Sequence, residues 1–205
     1  ATGLAPSSRG QGAASQRIVV TGTDFVSGVA ASFSGTGVTV NSVDYTDSTS
    51  ITLDVTVSAS AVTGARDLTL TNPDHGTSTL SAAFTVTAKP AATGLAPSSL
   101  GQGATTKTVV VSGTGFAIGV AASFDGAGVT VNSVIFDNAS QLTLDVTVAA
   151  GADLGSHALT LTNADAGTAS LASALTVTAK PAATSLSPSS VGRGATSASV
   201  TVSGA

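Results

Sequence analysis

Apolar and polar residues alternate through nearly every segment of the chain. Residues 51–57 are Ile-Thr-Leu-Asp-Val-Thr-Val, and residues 142–148 are Leu-Thr-Leu-Asp-Val-Thr-Val. Successive side chains of a β-strand point to opposite faces of its sheet, so this period of two predicts strands with one apolar face and one hydroxylated face. Residues 68–71 and 159–162 are both Leu-Thr-Leu-Thr, and no segment shows a helical period. The chain is therefore predicted to be all-β.

The same stretch of sequence occurs twice and begins a third time. Residues 92–182 repeat residues 1–91 without insertion or deletion, and a third copy opens at Ala183. We call residues 1–91 repeat 1, residues 92–182 repeat 2 and residues 183–205 the start of repeat 3. Each full repeat is predicted to be one domain, and the third is expected to be an incomplete domain that continues in a longer covalent chain. Tandem copies of one domain are typical of stalks, filaments and adhesins, because each copy adds length without new chemistry.

Each full repeat is predicted to contain about seven strands. In repeat 1 they lie near residues 3–6, 16–22, 28–33, 38–45, 51–57, 66–72 and 80–88, and in repeat 2 the set is shifted by 91. Seven short strands in about 90 residues indicate a two-sheet antiparallel sandwich. The alternation predicts that Thr52, Asp54 and Thr56 face outward. It places ten residues in the two cores, namely Phe25, Phe33, Leu53, Leu70 and Phe84 with Phe116, Phe124, Leu144, Leu161 and Leu175.

Glycines occupy equivalent positions in the two repeats. Such glycines are typical of turns that need a positive φ, or of places where backbones approach closely. In repeat 1 they are Gly10, Gly12, Gly22, Gly28, Gly35, Gly37, Gly64 and Gly76, and all eight recur 91 residues later.

Composition excludes several classes of function. Charged residues make up 9% of the chain and its net charge is −4, a poor match for nucleic acid. No stretch is apolar for the roughly 18 residues that a membrane span requires. Cysteine is absent, so neither disulfides nor a Cys/His zinc site is expected, and this absence favours a prokaryotic source.

Candidate catalytic and metal-binding residues are few. His75 is predicted to lie in a turn and His157 near the start of a strand. The two positions are not equivalent in the two repeats, which favours turn decoration over a catalytic base. Asp54 and its counterpart Asp145 could bind a cation, but a charge that prevents unwanted strand pairing is the simpler interpretation. Residues 72–76 and 163–167 resemble the start of a calcium loop but lack its closing glutamate, so hairpin turns are predicted. We therefore expect no enzyme activity and no catalytic, cofactor or metal site.

Several short motifs together resemble the IPT/TIG family of immunoglobulin-like domains. They include Leu-x-Pro-Ser-Ser, then Gly-x-Gly-Ala, a closing Leu-Thr-Leu-Thr-Asn, and above all Gly-Thr-x-Phe at residues 22–25 and 113–116. Members of that family occur in bacterial surface and adhesion proteins, beside polysaccharide enzymes, in receptors and in DNA-binding factors. The absence of cysteine and of a basic loop favours the bacterial extracellular members.

The function expected from these features is structural. The chain is predicted to be a tandem rod in an extracellular or cell-surface prokaryotic filament, sheath or adhesin stalk, and its partners are expected to be like domains or chains. Residues 86–93 and 177–184 are short joints with a proline, which predicts a fixed orientation between repeats. The alternative is a binding or spacer module attached to a polysaccharide-active enzyme. A surface or carbohydrate ligand is weakly supported. Sugar rings usually stack on exposed aromatic side chains, and the chain has no tryptophan and only Tyr45 and Phe136 as candidates for exposure.

Overall fold

The computed structural model describes all residues from 1 to 205, and all its regular elements are strands. Repeat 1 contains β1 (Gly3–Ala5), β2 (Ser8–Gly10), β3 (Gln16–Thr21), β4 (Ala30–Phe33), β5 (Val38–Asp47), β6 (Ser50–Val57), β7 (Gly64–Thr71) and β8 (Thr77–Thr87). Repeat 2 contains β9 (Ala91–Ala96), β10 (Ser99–Gly101), β11 (Lys107–Thr114), β12 (Ala121–Phe124), β13 (Val129–Asn138), β14 (Gln141–Val148), β15 (Gly155–Thr162) and β16 (Thr168–Thr178). The start of repeat 3 forms β17 (Ala183–Ser187) and β18 (Thr201–Gly204). No helix long and apolar enough to cross a membrane is present.

Each full repeat folds into two four-stranded sheets. Their strand orders are β1-β3-β6-β5 and β2-β8-β7-β4 in repeat 1, with the equivalent orders β9-β11-β14-β13 and β10-β16-β15-β12 in repeat 2. This order is that of an immunoglobulin-like sandwich, with four strands in one sheet and the other three joined by a short extra strand. The predicted fold class, tandem immunoglobulin-like sandwiches, is confirmed.

The short extra strand was not predicted separately. β2 pairs in parallel with β8, with Ser8 opposite Thr85, and β10 pairs with β16 in the same way. Pro6 separates β1 from β2, and proline has no N–H to continue a strand ladder. β2 lies outside the first predicted strand, residues 3–6, so each repeat has eight strands where about seven were predicted.

The sandwich cores contain the residues that the alternation predicted. All ten predicted core residues are buried, and Leu53 and Leu144 are fully inaccessible. The rings of Phe33 and Phe84 lie 5.0 Å apart between their centroids. Thr52 differs from the outward exposure expected of it, since only 4% of it is accessible. The Arg17 guanidinium donates a 3.0 Å hydrogen bond to the Thr52 hydroxyl and covers it.

The boundaries between repeats fall within continuous strand pairing. β9 begins at Ala91, which pairs with Thr114 of repeat 2. The start of repeat 3 pairs its first two strands with Ala183 opposite Gly204, the register that Ala92 and Gly113 have in repeat 2. The domain divisions at residues 91/92 and 182/183 stay predictions.

Candidate functional site: the joint between repeats

A tight hairpin at one end of repeat 2 forms half of the contact between the repeats. It joins β15 to β16 through residues 163–168. The Asn163 N–H donates to the Gly167 carbonyl at 2.9 Å, and the Ala166 N–H donates to the Asn163 carbonyl at 2.9 Å. The Asp165 carboxylate accepts from the Gly167 N–H at 3.0 Å. The prediction of a hairpin turn here is confirmed, and we call residues 163–168 the hairpin of repeat 2.

The other half is the base of repeat 1, formed by residues 10–12 and Thr87. The Gly10 N–H donates to the Asp165 carbonyl at 3.0 Å, and the Thr168 N–H donates to the Gln11 carbonyl at 3.1 Å. The Thr87 hydroxyl also donates to the Asp165 carboxylate. Hydrogen bonds therefore run in both directions across the joint, and one of them is made to a charged group.

Two glycines allow the two backbones to approach this closely. A Cβ on Gly10 would lie 2.7 Å from the Gly167 nitrogen and 2.8 Å from the Asp165 carboxylate, and a Cβ on Gly167 would lie 3.0 Å from the Gly10 Cα. Real Cβ atoms do not approach backbone atoms to 2.7 Å. Any side chain at Gly10 would therefore push the hairpin away.

The linker contacts both repeats. The Gln11 side chain donates to the Ala61 carbonyl at 2.6 Å and accepts from the Lys89 N–H at 3.3 Å. Pro90 is buried. On the other side, a Cβ on Gly115 would lie 2.9 Å from the Lys89 carbonyl oxygen. The linker predicted to be stiff is thus also fixed by contacts along its length.

The hairpin also contributes to the core of repeat 1. Ala166, at the hairpin tip, packs against the apolar cluster of that repeat, which includes Val57, Ala61 and Val86 near the base. The equivalent residues of repeat 2, Val148, Ala152 and Val177, form a separate small cluster. The joint thus combines polar bonds with apolar burial.

Equivalent residues outside the joint are more exposed. Gly10 is buried but Gly101 is half-buried, and Thr87 is half-buried but Thr178 is exposed. The hairpin of repeat 1, residues 72–77, is largely exposed. Since the two repeats share one fold, these differences come from the joint itself.

His157 lies near the start of a strand, as its place in the sequence indicated, but it is buried and is not the turn decoration that was expected. It lies on β15 with 3% of its surface accessible. Its Nδ1 is 2.6 Å from the Asp125 carbonyl oxygen, and its Nε2 is 3.0 Å from the Asp153 carbonyl oxygen. These two backbone hydrogen bonds, to Asp125 first and then to Asp153, raise the pKa of His157 above its ordinary value of 6.5. His75, by contrast, is exposed in a turn, at a φ of 68°.

The counterpart of His157 in repeat 1 is also a basic residue, Arg66. Arg66 donates through its guanidinium to the Val62 carbonyl and, at 3.1 Å, to the Ala65 carbonyl. Each side chain therefore binds the carbonyl of the loop residue four positions before it, Asp153 for His157 and Val62 for Arg66. Holding this loop is a structural role that either basic residue can fill.

Asp54 and its counterpart Asp145 each take part in a hydrogen-bond network on the outer sheet face of their repeat. The Asn41 amide donates to Asp54 at 3.0 Å and to the Thr56 hydroxyl at 2.9 Å. In repeat 2 the Asn132 amide donates in the same way to Asp145 at 3.2 Å. No group of three or more histidines and acidic residues is placed to hold a metal ion.

The aromatic candidates for ligand binding are only partly available. Tyr45 is 40% exposed, whereas Phe136 is half-buried against the core of repeat 2. The possible carbohydrate ligand stays a prediction.

Comparison with known proteins gives structural likenesses only. No family model and no characterised sequence matches the chain. The plexin A4 extracellular region is 15% identical over 94% of this chain and 18% of its own, at a TM-score of 0.49. InvD of Yersinia pseudotuberculosis is 16% identical over 87% of this chain and 57% of its own, at a TM-score of 0.34. SGBP-B of Bacteroides ovatus, solved with a mixed-linkage heptasaccharide, is 15% identical over 86% of this chain and 45% of its own, at a TM-score of 0.32.

These likenesses carry no argument about function. The chain spans only 18% of the plexin chain and about half of the other two. The resemblance to the IPT/TIG family stays a prediction from sequence.

Proposed function

We propose that the chain is a segment of a structural rod in an extracellular or cell-surface prokaryotic filament, sheath or adhesin stalk, built from repeats of IPT/TIG type. The observation that carries this proposal is the bonded joint, in which the base of repeat 1 holds the hairpin of repeat 2. A flexible array of binding modules needs no such joint. A rod does, because its length and direction depend on the angle between consecutive domains.

The joint supports a fixed orientation by three means. Hydrogen bonds cross it in both directions, Ala166 adds apolar burial, and the linker is held by Gln11 and a buried Pro90. Domains of one chain move relative to each other by default unless a large apolar interface holds them, so the hydrogen bonds and the linker contacts must fix this joint. The covalent link gives an effective concentration in the millimolar range, which keeps closed a contact whose dissociation constant lies below that range.

The strand order also suits a protein under tension. β2 lies near the beginning of repeat 1 and β8 at its end, and the two strands pair in parallel. Pulling the ends of the repeat apart therefore drags these strands past each other, and their hydrogen bonds must break together rather than one by one. In this proposal the chain has a mechanical role, associates with like domains or chains, and catalyses no reaction.

Spin labels test the fixed orientation directly. The chain has no cysteine, so Thr39→Cys with Thr130→Cys places one label on an exposed site of each repeat. We expect a narrow distribution of distances between the labels. Replacing residues 89–92 with Gly-Ser-Gly-Ser should broaden it while each repeat stays folded. Equal widths before and after replacement contradict the proposal.

Imaging of the native material tests the assembly. Negative-stain electron microscopy should show a long periodic fibre. A compact particle would contradict the rod.

A further inference from the structure

The base of repeat 2 has the same residues as the base of repeat 1 but contacts no hairpin. Gly101, Gln102, Gly103 and Thr178 stand where repeat 1 has Gly10, Gln11, Gly12 and Thr87. The Gln102 amide donates to the Ala152 carbonyl at 2.7 Å, which matches the 2.6 Å bond from Gln11 to Ala61. The base of repeat 2 thus already has the conformation in which the base of repeat 1 binds a hairpin.

Gly101 has no local reason to be glycine. Its φ is not in the left-handed region, and a Cβ on it would meet nothing closer than the Thr178 hydroxyl at 3.7 Å. Glycine destabilises a strand relative to alanine, because it loses more conformational freedom on folding, and Gly101 ends β10. Gly10, in contrast, must be glycine because Gly167 lies against it. The glycine at position 101 fits a neighbour of the same kind.

The second linker matches the first. Lys180-Pro181-Ala182 repeats Lys89-Pro90-Ala91. Ala182 and Ala205 exchange backbone hydrogen bonds of 2.8 and 2.9 Å, which correspond to the pairing of Ala91 with Thr114. The first two strands of repeat 3 therefore pair in the same register as the equivalent strands of repeat 2. Pro181 is nevertheless exposed, whereas Pro90 is buried.

We propose that the base of repeat 2 binds the hairpin of a following copy of this repeat. The Gly101 N–H donates to a hairpin aspartate carbonyl, the Gln102 carbonyl accepts from the hairpin, and the Thr178 hydroxyl donates to the aspartate carboxylate. The ligand is an Asn-x-Asp-x-Gly hairpin with a glycine facing Gly101. This inference rests on the proposed function and deepens it, because one interface then sets the same orientation at every joint.

A protein of three full repeats tests this docking. Residues 1–182 are followed by a second copy of residues 92–182, so that Lys180 and Pro181 keep their place in the second joint. Spin labels at Thr130→Cys and at the equivalent threonine of the added copy, also replaced by cysteine, give the distribution of distances across the second joint. We expect a distance distribution as narrow as that between labels at Thr39→Cys and Thr130→Cys. Gly101→Val should broaden the second distribution at least twofold and leave the first unchanged.

A matched control separates docking from folding. In the chain of residues 1–205, Gly101→Val should leave the unfolding midpoint unchanged, because a Cβ at this position meets no atom closer than 3.7 Å and β-branched residues suit a strand. Loss of stability there would overturn the inference. Thr178→Val, which removes only the hydroxyl donor, should broaden the second joint of the three-repeat protein without affecting the fold.

The remaining outcomes distinguish the two proposals. A broad distance distribution across the second joint, with a narrow one across the first, overturns the docking inference and leaves the proposed rod standing for repeats 1 and 2. Broad distributions across both joints overturn the proposed function. A second joint that stays narrow in both variants shows that the linker alone sets the orientation, which also overturns the docking inference.

Discussion

Gly10 and Gly167 lie back to back across the joint between the repeats, with no room for a side chain at Gly10 and little at Gly167. A Cβ on Gly10 would come within 2.7 Å of the Gly167 nitrogen. The Gly10 N–H also donates to the neighbouring Asp165 carbonyl at 3.0 Å. The two backbones are thus in direct contact, so the angle between the domains depends on the smallest residue at two points of the chain.

Gly10→Ala should open this joint. The added methyl group overlaps the hairpin backbone, and overpacking of this kind typically costs about 1–3 kcal/mol. We expect the free energy of unfolding of repeat 1 to fall by up to that amount, limited by what the joint contributes. Chemical denaturation followed by the fluorescence of Tyr45 measures it, because Tyr45 is the one tyrosine, no tryptophan is present, and it lies in repeat 1.

Gly101→Ala is the control for that substitution. It makes the same change at the equivalent position, where the nearest atom would be 3.7 Å away. We expect no loss of stability. Equal losses from the two substitutions would show that the glycines act within their own repeats and not across the joint.

Asp165→Ala should also weaken the joint. Its carboxylate accepts from the Thr87 hydroxyl across the joint and from the Gly167 N–H within the hairpin. Hydrogen bonds to a charged group contribute about 1.5–3 kcal/mol, less where water competes, as it does at this half-buried residue. The change should therefore reduce the free energy of unfolding by about 1–2 kcal/mol.

The matched substitution is Asp74→Ala. Asp74 accepts only the equivalent hairpin bond, from Gly76 at 2.9 Å, and it is exposed. Its loss should cost a few tenths of a kcal/mol in the same denaturation experiment. A larger effect at Asp74 than at Asp165 would contradict the assigned role of Asp165.

The alternation of residue types predicted the fold because strand faces are a local property. Leu53 and Leu144 could be placed in the cores from their neighbours alone, and both are fully buried. The parallel pairing of Ser8 with Thr85 was missed, because three residues after a proline carry too little pattern to identify a strand. Arg17 covering Thr52 was also missed, since a long side chain can bury a residue on the outer face.

The contacts that hold the joint could not be predicted, because they join residues that are distant in sequence. Gly10 and Gly12 looked alike as turn glycines, yet Gly12 has a φ of +85° and Gly10 does not have a positive φ. The recurrence of glycine at positions 10, 101 and 192 was a usable signal. This recurrence alone does not tell whether a glycine is needed for a turn or for a contact between repeats, and the backbone angle φ is needed to distinguish the two.

Leu53→Ala should destabilise repeat 1 through its core. Removing a fully buried leucine side chain leaves a cavity and typically costs about 2–5 kcal/mol. Leu144→Ala should cost a similar amount in repeat 2, where the residue is equally buried. Denaturation followed by circular dichroism measures both, and Thr39→Ala on the exposed face should stay within about 0.5 kcal/mol of the parent. Losses below 1 kcal/mol for both leucines would contradict the assigned core.

His157 makes the stability of repeat 2 depend on pH. Both ring nitrogens face backbone carbonyl oxygens, at 2.6 Å and 3.0 Å, and a carbonyl oxygen can only accept. The neutral ring has a single N–H, so one nitrogen lone pair would then face an oxygen. The charged ring satisfies both contacts, and the nearby carboxylates of Asp125 and Asp153 favour it further, against the opposing effect of burial.

The folded state therefore raises the pKa of His157 above its ordinary value of 6.5. A group whose pKa is raised on folding contributes stability that is fully present below its unfolded pKa and is lost as the pH rises through its folded pKa. Repeat 2 should accordingly be most stable relative to repeat 1 below about pH 6.5 and should lose stability above it. Denaturation followed by circular dichroism for the whole chain and by Tyr45 fluorescence for repeat 1 separates the two repeats.

His157→Arg is the matched variant, because Arg66 fills the same position in repeat 1 and an arginine side chain keeps its proton in this pH range. It should remove the loss of stability above pH 6.5 and leave repeat 2 folded, since Arg66 already binds the Val62 carbonyl, which stands where repeat 2 has Asp153. Titration of the His157 ring by NMR in the parent chain gives the folded pKa independently of unfolding. A ring that titrates below 6.5, or a repeat 2 that becomes more stable as the pH rises, would show that the imidazole is held in its neutral form and that one of the two carbonyl contacts is not a hydrogen bond.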